Sequence, residues 1–301
     1  KIAMLFIEML SISSYYDYIE DFFEKIIKFS FNIVQRYKVS NERLALLGLE
    51  IICCIGDEEV SRNNKGYISL AIINQGYTLE NVSKGYLSKI SNDLQKLIVT
   101  NVSVSDDDEE ESEWNISNAC LNILNLMAQT ALPQVMGNFY KELSTQIETT
   151  KTNLNERAKC WLLLGSSITY TNRYEIAKMI SHYLNSIFKD ITQNDSLKLK
   201  KCASFLMYKI TKIMPKILEA SKIGGPIEIL SSELKNCKES KVVGNLCQSL
   251  QNIIKTYGDL DTNKSSCVLS SYFEKIFKNL FIDAKNDIMD IVKEKSSNKT
   301  S

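Results

Sequence analysis

The sequence is poor in residues that break helices: three prolines and 11 glycines in 301 positions. So few breakers over this length predict long helices rather than many short strands. Histidine is scarcer still. His182 is the only one, inside "KMISHYLNSIF" and without a cysteine or carboxylate at ligand spacing. It reads as a partly exposed or satisfied helical side chain, and a lone histidine excludes His-based triads and multi-histidine metal sites. Charge of one sign is also missing, since 36 basic residues balance 36 acidic ones. A dedicated nucleic-acid binder would carry a basic excess, so direct nucleic-acid contact is not expected. No apolar run approaches the roughly 20 residues that cross a bilayer, so membrane insertion is not expected either. P-loop, GxGxxG, HExxH and paired CxxC patterns are absent. The chain reads as a non-enzyme with no cofactor and no metal, whose business is binding.

Eight cysteines are present, at irregular spacings and mostly inside apolar helical patterns such as "LEIICCIG" and "NACLNIL". They read as buried free thiols of a reducing compartment. Cys53 and Cys54 are adjacent and point about 100° apart on a helix, which suits neither a chelate nor a disulfide. The chain begins at Lys1 inside an apolar periodic stretch without an initiator Met. That predicts a fragment of a longer protein.

Apolar residues recur at three- and four-residue steps almost throughout, as in "YIEDFFEKIIKFSFNIVQRY" (18–37) and "SNERLALLGLEIICCIGDEE" (40–59). This is the pattern of amphipathic helices. Several of them place a small residue ahead of an apolar run: Ala45, Ala119, Ala158, Ala203 and Gly244. Helix pairs recurring every 40–47 residues or so form the HEAT/armadillo class, in which one pair cannot bury its apolar faces alone and neighbours stack. The expectation is an all-α HEAT-repeat solenoid, a right-handed α-α superhelix. A second helix alone would occupy about 1–13, and pairs about 17–57, 60–130, 132–170, 173–214, 224–258 and 262–296. The 60–130 repeat carries an inserted stretch and an acidic loop at 105–113. Ser40 is the expected cap of one second helix, and Pro133 fits a first helical turn.

The densest charge is "SDDDEEESEWN" (105–115), with Asp106, Asp107, Asp108, Glu109, Glu110, Glu111 and Glu113 in one run. Blocks of like charge commonly repel and only solubilise. Two neighbours point instead to a basic partner. Trp114 ends the run, and a second acidic triplet, Asp57, Glu58 and Glu59, lies at the end of an earlier second helix. Carboxylates pair with guanidinium or ammonium groups, and an indole stacks on them. Trp114 has a plainer reading as a helix-start anchor, and Trp161, amid "CWLLLG", reads as core.

The segments "SSYYDYIEDFF", "LALLGLEIICCIGDEE", an acidic run ending in "EWNISNACLNILNLMAQ", and "CVLSSYFEKIFKNLF", in that order, resemble importin-β, the karyopherin-β family of nuclear transport receptors. The resemblance implies roughly the middle third of such a receptor, shuttling between cytoplasm and nucleus. It implies three kinds of partner: the adaptor importin-α or basic cargo on the inner surface, Ran-GTP over overlapping surface with the acidic loop, and FG-repeat nucleoporins on the outer surface. Asp57, Glu58, Glu59, Trp114 and Asn115 then fall on inner-surface positions, and Asp106 to Glu113 on the acidic loop. Tyr16, Ile19, Phe23 and Ile27 form a stripe bordering an FG groove, or ordinary inter-repeat core. Phe205 and Gln248 stand where relatives use further inner-surface tryptophans. The competing reading is a structural HEAT scaffold of a stable assembly, without Ran or nucleoporin binding.

Overall fold

The computed structural model describes residues 1–10, 22–64, 86–104, 114–130, 133–150, 152–193, 196–218 and 224–258. Tyr16, Ile19, the run from Asp106 to Glu113, Cys267 and the expected pair at 262–296 lie outside the described residues. Among the described residues there is no strand. The helices are α1 (Ile2–Leu10), α2 (Phe23–Tyr37), α3 (Glu42–Asn64), α4 (Tyr86–Lys89), α5 (Ser91–Asn101), α6 (Ile116–Thr130), α7 (Pro133–Thr149), α8 (Leu154–Ser167), α9 (Arg173–Thr192), α10 (Leu197–Ile213), α11 (Gly224–Asn236) and α12 (Ser240–Gly258). A 3-10 turn covers Pro215–Ile217. The chain divides into two compact units, Lys1–Ile180 and Ser181–Ser301.

In the first unit α2 packs on α3, α5 on α6, and α7 on α8. The later helix of each pair also packs on its counterparts: α1 on α3, α3 on α6, and α6 on α8. In the second unit α11 and α10 both pack on α12, and the 3-10 turn packs against α10 and α12. This double packing is the HEAT arrangement expected from the periodicity, and the fold is all-α. No described helix is long and apolar enough to cross a membrane.

The two helices of one pair have different burial for a physical reason. Helix α2 buries one stripe, Phe23, Ile26, Ile27, Ser30 and Val34, and shows water a Lys28–Glu24 ion pair. Helix α3 is enclosed by α1, α2 and α6, so Ala45, Leu49, Ile51, Ile52, Cys53 and Ile55 are all buried. An element buried on several sides must be apolar on several sides. The entry to α3 is fixed by Asn41, whose Oδ1 accepts the Leu44 N–H at 3.2 Å. The capping residue is therefore Asn41 and not the preceding Ser40, because a cap must reach the N–H three positions on.

The small residues divide into two groups. Ala45, Ala119, Ala158 and Ala203 are fully buried. Gly244 is not a close-approach site, since an added Cβ would meet nothing within 4 Å. The tight positions are Gly48, where a Cβ would stand 2.8 Å from the Ser30 carbonyl oxygen, and Gly56, where it would stand 2.9 Å from Leu87 and 3.0 Å from Leu126. The turn after α8 is held by polar groups. The Thr169 and Thr171 hydroxyls both donate to the Ala128 carbonyl, and the Asn172 amide donates to the Tyr140 hydroxyl and the Ser167 carbonyl.

Glycine-to-alanine substitutions separate the two kinds of glycine. Gly56→Ala overpacks the α3–α6 contact and should destabilise the chain by about 1–3 kcal/mol. Gly137→Ala, in α7 with open space around it, should stabilise by roughly 0.5–1 kcal/mol. Urea denaturation followed by circular dichroism measures both, and a neutral Gly56→Ala would remove the close-approach argument.

Candidate functional site

Trp114 is where the chain turns into α6, and the residues that follow it are tied down by side-chain hydrogen bonds. The Ile116 N–H donates to Glu42 Oε1 at 3.3 Å, which joins the starts of α3 and α6. Ser117 Oγ donates to the Ser103 carbonyl at 3.1 Å and accepts the Ser103 N–H at 3.2 Å. Asn115 Oδ1 accepts the Asn118 N–H at 2.8 Å, so the Asn115 side chain caps α6. The first turn of α6 needs such an acceptor, and Oδ1 supplies it.

On this anchored backbone the Trp114 side chain is 49% exposed. It lines an open groove of about 520 Å³ with Leu46, Leu47 and Glu50 of α3. Glu50 and Asp57 are seven residues apart on α3, hence within about 20° of one face. Their proximity is felt by Cys54: burial, with the charges of Glu50 and Asp57 added, pushes its thiol up to about 11. Asp57 is exposed, yet partial desolvation holds its carboxyl above the usual aspartate range. An indole beside two leucines and two carboxylates of one α3 face has the chemistry that suits a basic amphipathic chain. The carboxylates take the cations, and the ring and leucines cover the methylene stems.

The acidic triplet is not one surface. Helix α3 continues past it to Asn64, so the three residues are helical and point in different directions. Glu58 and Glu59 are buried. Glu58 pairs with Arg62 at 2.8 Å. Glu59 accepts the Tyr86 N–H, capping α4 as the chain returns to the described fold. Both are therefore corrected from partner-facing groups to structural ones, and Asp57 alone remains outward. Phe23 and Ile27 are corrected in the same way. Both are buried, and Phe23 meets Tyr86 edge-on at 5.3 Å, so neither lines an open groove. The stripe that the sequence shows is the one α2 turns to α3.

Sequence reasoning passed over Leu46, Leu47 and Glu50. The available signal was the seven-residue step from Glu50 to Asp57. Trp161 is fully buried, with the Arg157 guanidinium over its ring at 5.3 Å. In the second unit Phe205 is half-buried on α10 and Gln248 exposed on α12. The described cysteines are free thiols, and Cys53, Cys120, Cys160 and Cys202 are buried. Burial pushes Cys120 up to about 12 and Cys160 up to about 11, which keeps both protonated and inert at neutral pH.

Importin subunit beta-1 of Schizosaccharomyces pombe is 20% identical to the chain over 271 residues, covering 88% of this chain and 30% of that protein. Kap95p, the yeast importin-β, matches in a structure describing its binding to RanGDP, with a TM-score of 0.70, 16% identity, 92% of this chain and 30% of that one. It matches again in a Kap95:Nup1 complex, with a TM-score of 0.69, 16% identity, 91% of this chain and 30% of that one. At these identities the likeness shows the fold, an importin-β-type HEAT-repeat solenoid. No family model matches the chain. The chain spans about 30% of the length of the curated relative it matches.

The two roles given to carboxylates on α3 are separable. Glu59→Ala deprives the Tyr86 N–H of its acceptor and should cost about 1–3 kcal/mol. Glu59→Gln keeps a carbonyl acceptor and should lie close to the parent. Amide hydrogen exchange over Tyr86–Asn101 reads this locally, with faster exchange in Glu59→Ala only.

Proposed function

We propose that this chain is part of a karyopherin-type nuclear transport receptor, a binding protein rather than an enzyme, moving between cytoplasm and nucleus. Its α3–Trp114 face takes a basic import signal or the Arg-rich helix of the adaptor importin-α. The supporting observation is Trp114, exposed on a fixed backbone and sharing a groove with Glu50, with Asp57 two turns further along the same face of α3. Release by Ran-GTP and contact with FG-repeat nucleoporins are carried from the importin-β resemblance and from the Ran and Nup1 complexes of Kap95p. The acidic run from Asp106 to Glu113 enters immediately before Trp114 and serves as an arm that draws basic partners toward the groove. The nucleoporin contact is proposed without Phe23 and Ile27, which the core already uses.

Intrinsic fluorescence tests the site, because of two tryptophans only Trp114 is exposed. An Arg/Lys-rich amphipathic peptide should protect Trp114 from iodide quenching, with affinity falling steeply as salt rises. Trp114→Ala should weaken binding about tenfold, in line with loss of a cation–π anchor and its buried area. Asp57→Asn should also weaken it while leaving stability unchanged or raised by up to about 0.5 kcal/mol, since desolvation disfavours the charged form of Asp57 in the fold. The pH sign follows from that shift. Because the folded-state pKa is raised, acidification neutralises Asp57 at a higher pH than a free aspartate, and peptide affinity drops there first. Salt-insensitive binding, or binding indifferent to Trp114, would leave the scaffold reading in its place.

A further inference from the structure

Helix α6 begins with a donor that its own turns cannot satisfy. Ile116 is its first residue, and the N–H groups of a first helical turn have no partner within the helix. Asn115 Oδ1 accepts the Asn118 N–H, so the Ile116 N–H needs another acceptor. That acceptor comes from a different helix. Glu42, in the first turn of α3, is exposed, and its Oε1 takes the Ile116 N–H at 3.3 Å from 74 positions away in the chain. A carboxylate at a helix start also meets the positive end of the helix dipole.

Glu42 stands on the strip of α3 that carries the groove. Leu46 and Glu50 follow it at four-residue steps, which keep to one helical face. Leu46, Leu47 and Glu50 line the groove with Trp114. Only Asn115 separates Trp114 from the bonded N–H. The Glu42 bond therefore holds the chain beside the indole against the same strip that the indole faces, and it sets the gap between ring and helix. The Ser117 hydroxyl, bonded to both the N–H and the carbonyl of Ser103, ties α6 to the segment that follows α5. That leaves the α3 side to Glu42. With the indole 49% exposed, its own packing on α3 is limited, and one backbone bond is a large share of what keeps it there.

We propose that Glu42 is a positioning residue of the Trp114 groove. Through the Ile116 N–H it fixes the indole over Leu46, Leu47 and Glu50, and so pre-organises the face for the basic ligand of the import-signal reading, on which this role rests. A ring that must be ordered on binding weakens the complex by the freedom it loses, and a ring already held does not. Glu42 acts through an acceptor oxygen, whereas Glu50 and Asp57 act through charge. The acidic side chains of α3 thus divide by role in a way that their shared charge conceals.

The test compares Glu42→Gln with Glu42→Ala in the whole chain. Both remove the charge, and only glutamine keeps a carbonyl acceptor for the Ile116 N–H, so a difference between them reads the hydrogen bond. In the free chain, iodide should quench Trp114 more strongly in Glu42→Ala than in Glu42→Gln, with the emission shifted to the red. Trp161 is fully buried and stays out of this signal. The basic amphipathic peptide should bind Glu42→Ala about threefold more weakly than Glu42→Gln, the low end of what one hydrogen bond contributes. Equal quenching in the two variants overturns the proposal, even where Glu42→Ala melts earlier, because the role is then only structural. Equal loss of peptide affinity in both overturns it too, and makes Glu42 a direct charge contact. The quenching comparison needs no ligand, so it decides the positioning whether or not the peptide binds. Failure of the parent chain to bind the peptide counts against the import-signal reading alone.

Discussion

Everything in the first unit depends on one constraint, that a later helix must be buried by more than its own partner. Helix α3 shows why. Its apolar residues face several ways, and α2 alone covers one of them. Each fully buried Leu or Ile contributes about 1.5–3 kcal/mol relative to exposure, as an upper bound. Only the added contacts from α1 and α6 make that burial available. The same need for close stacking explains Gly48 and Gly56, which stand where the backbone of α2 and the side chains of α4 and α6 come nearest. The groove at Trp114 is a by-product of this stack. With the start of α6 pinned to the start of α3 by Glu42, the residue just ahead of α6 has to stand over the first turns of α3.

That dependence explains what was legible in the sequence. Helical period, the scarcity of breakers and the recurring small residues carry the all-α HEAT class, because each is a direct consequence of stacking. The individual site residues were less legible, for a specific reason. An acidic triplet in a sequence looks like a single patch, whereas on a helix successive residues diverge by about 100°. Asp57 therefore faces outward while Glu58 and Glu59 turn into the fold, where Arg62 and the Tyr86 N–H meet them. Glu50 shares the face of Asp57 from seven residues away and is separated from it by the apolar run "IICCIG". Phe23 and Ile27 show the converse. The stripe is real, but it is read equally well as core or as groove until the position of α3 is known.

Buried carboxylates on α3 also bear on how an electrostatic partner site is kept stable. Glu59 spends its charge on a helix start and Glu58 on an intrahelical arginine, so neither adds to the field seen by a ligand at full strength. Past its first turn, Glu50 and Asp57 are the carboxylates of α3 that stay on its outward side.

Net charge is a poor guide to partners in a stacked-helix protein. The zero balance of this chain includes an acidic α3 and two later helices, α10 and α12, whose only charged residues are lysines. The charge thus differs from helix to helix: α6 has none and α8 carries both signs. Here α10 and α12 are joined side by side through Asn245 and Asn252, bonds that use neutral side chains and leave the flanking lysines out of the helix–helix contact. Neutral amides, and no charged pair, hold the register of α12 on α10 at these two points.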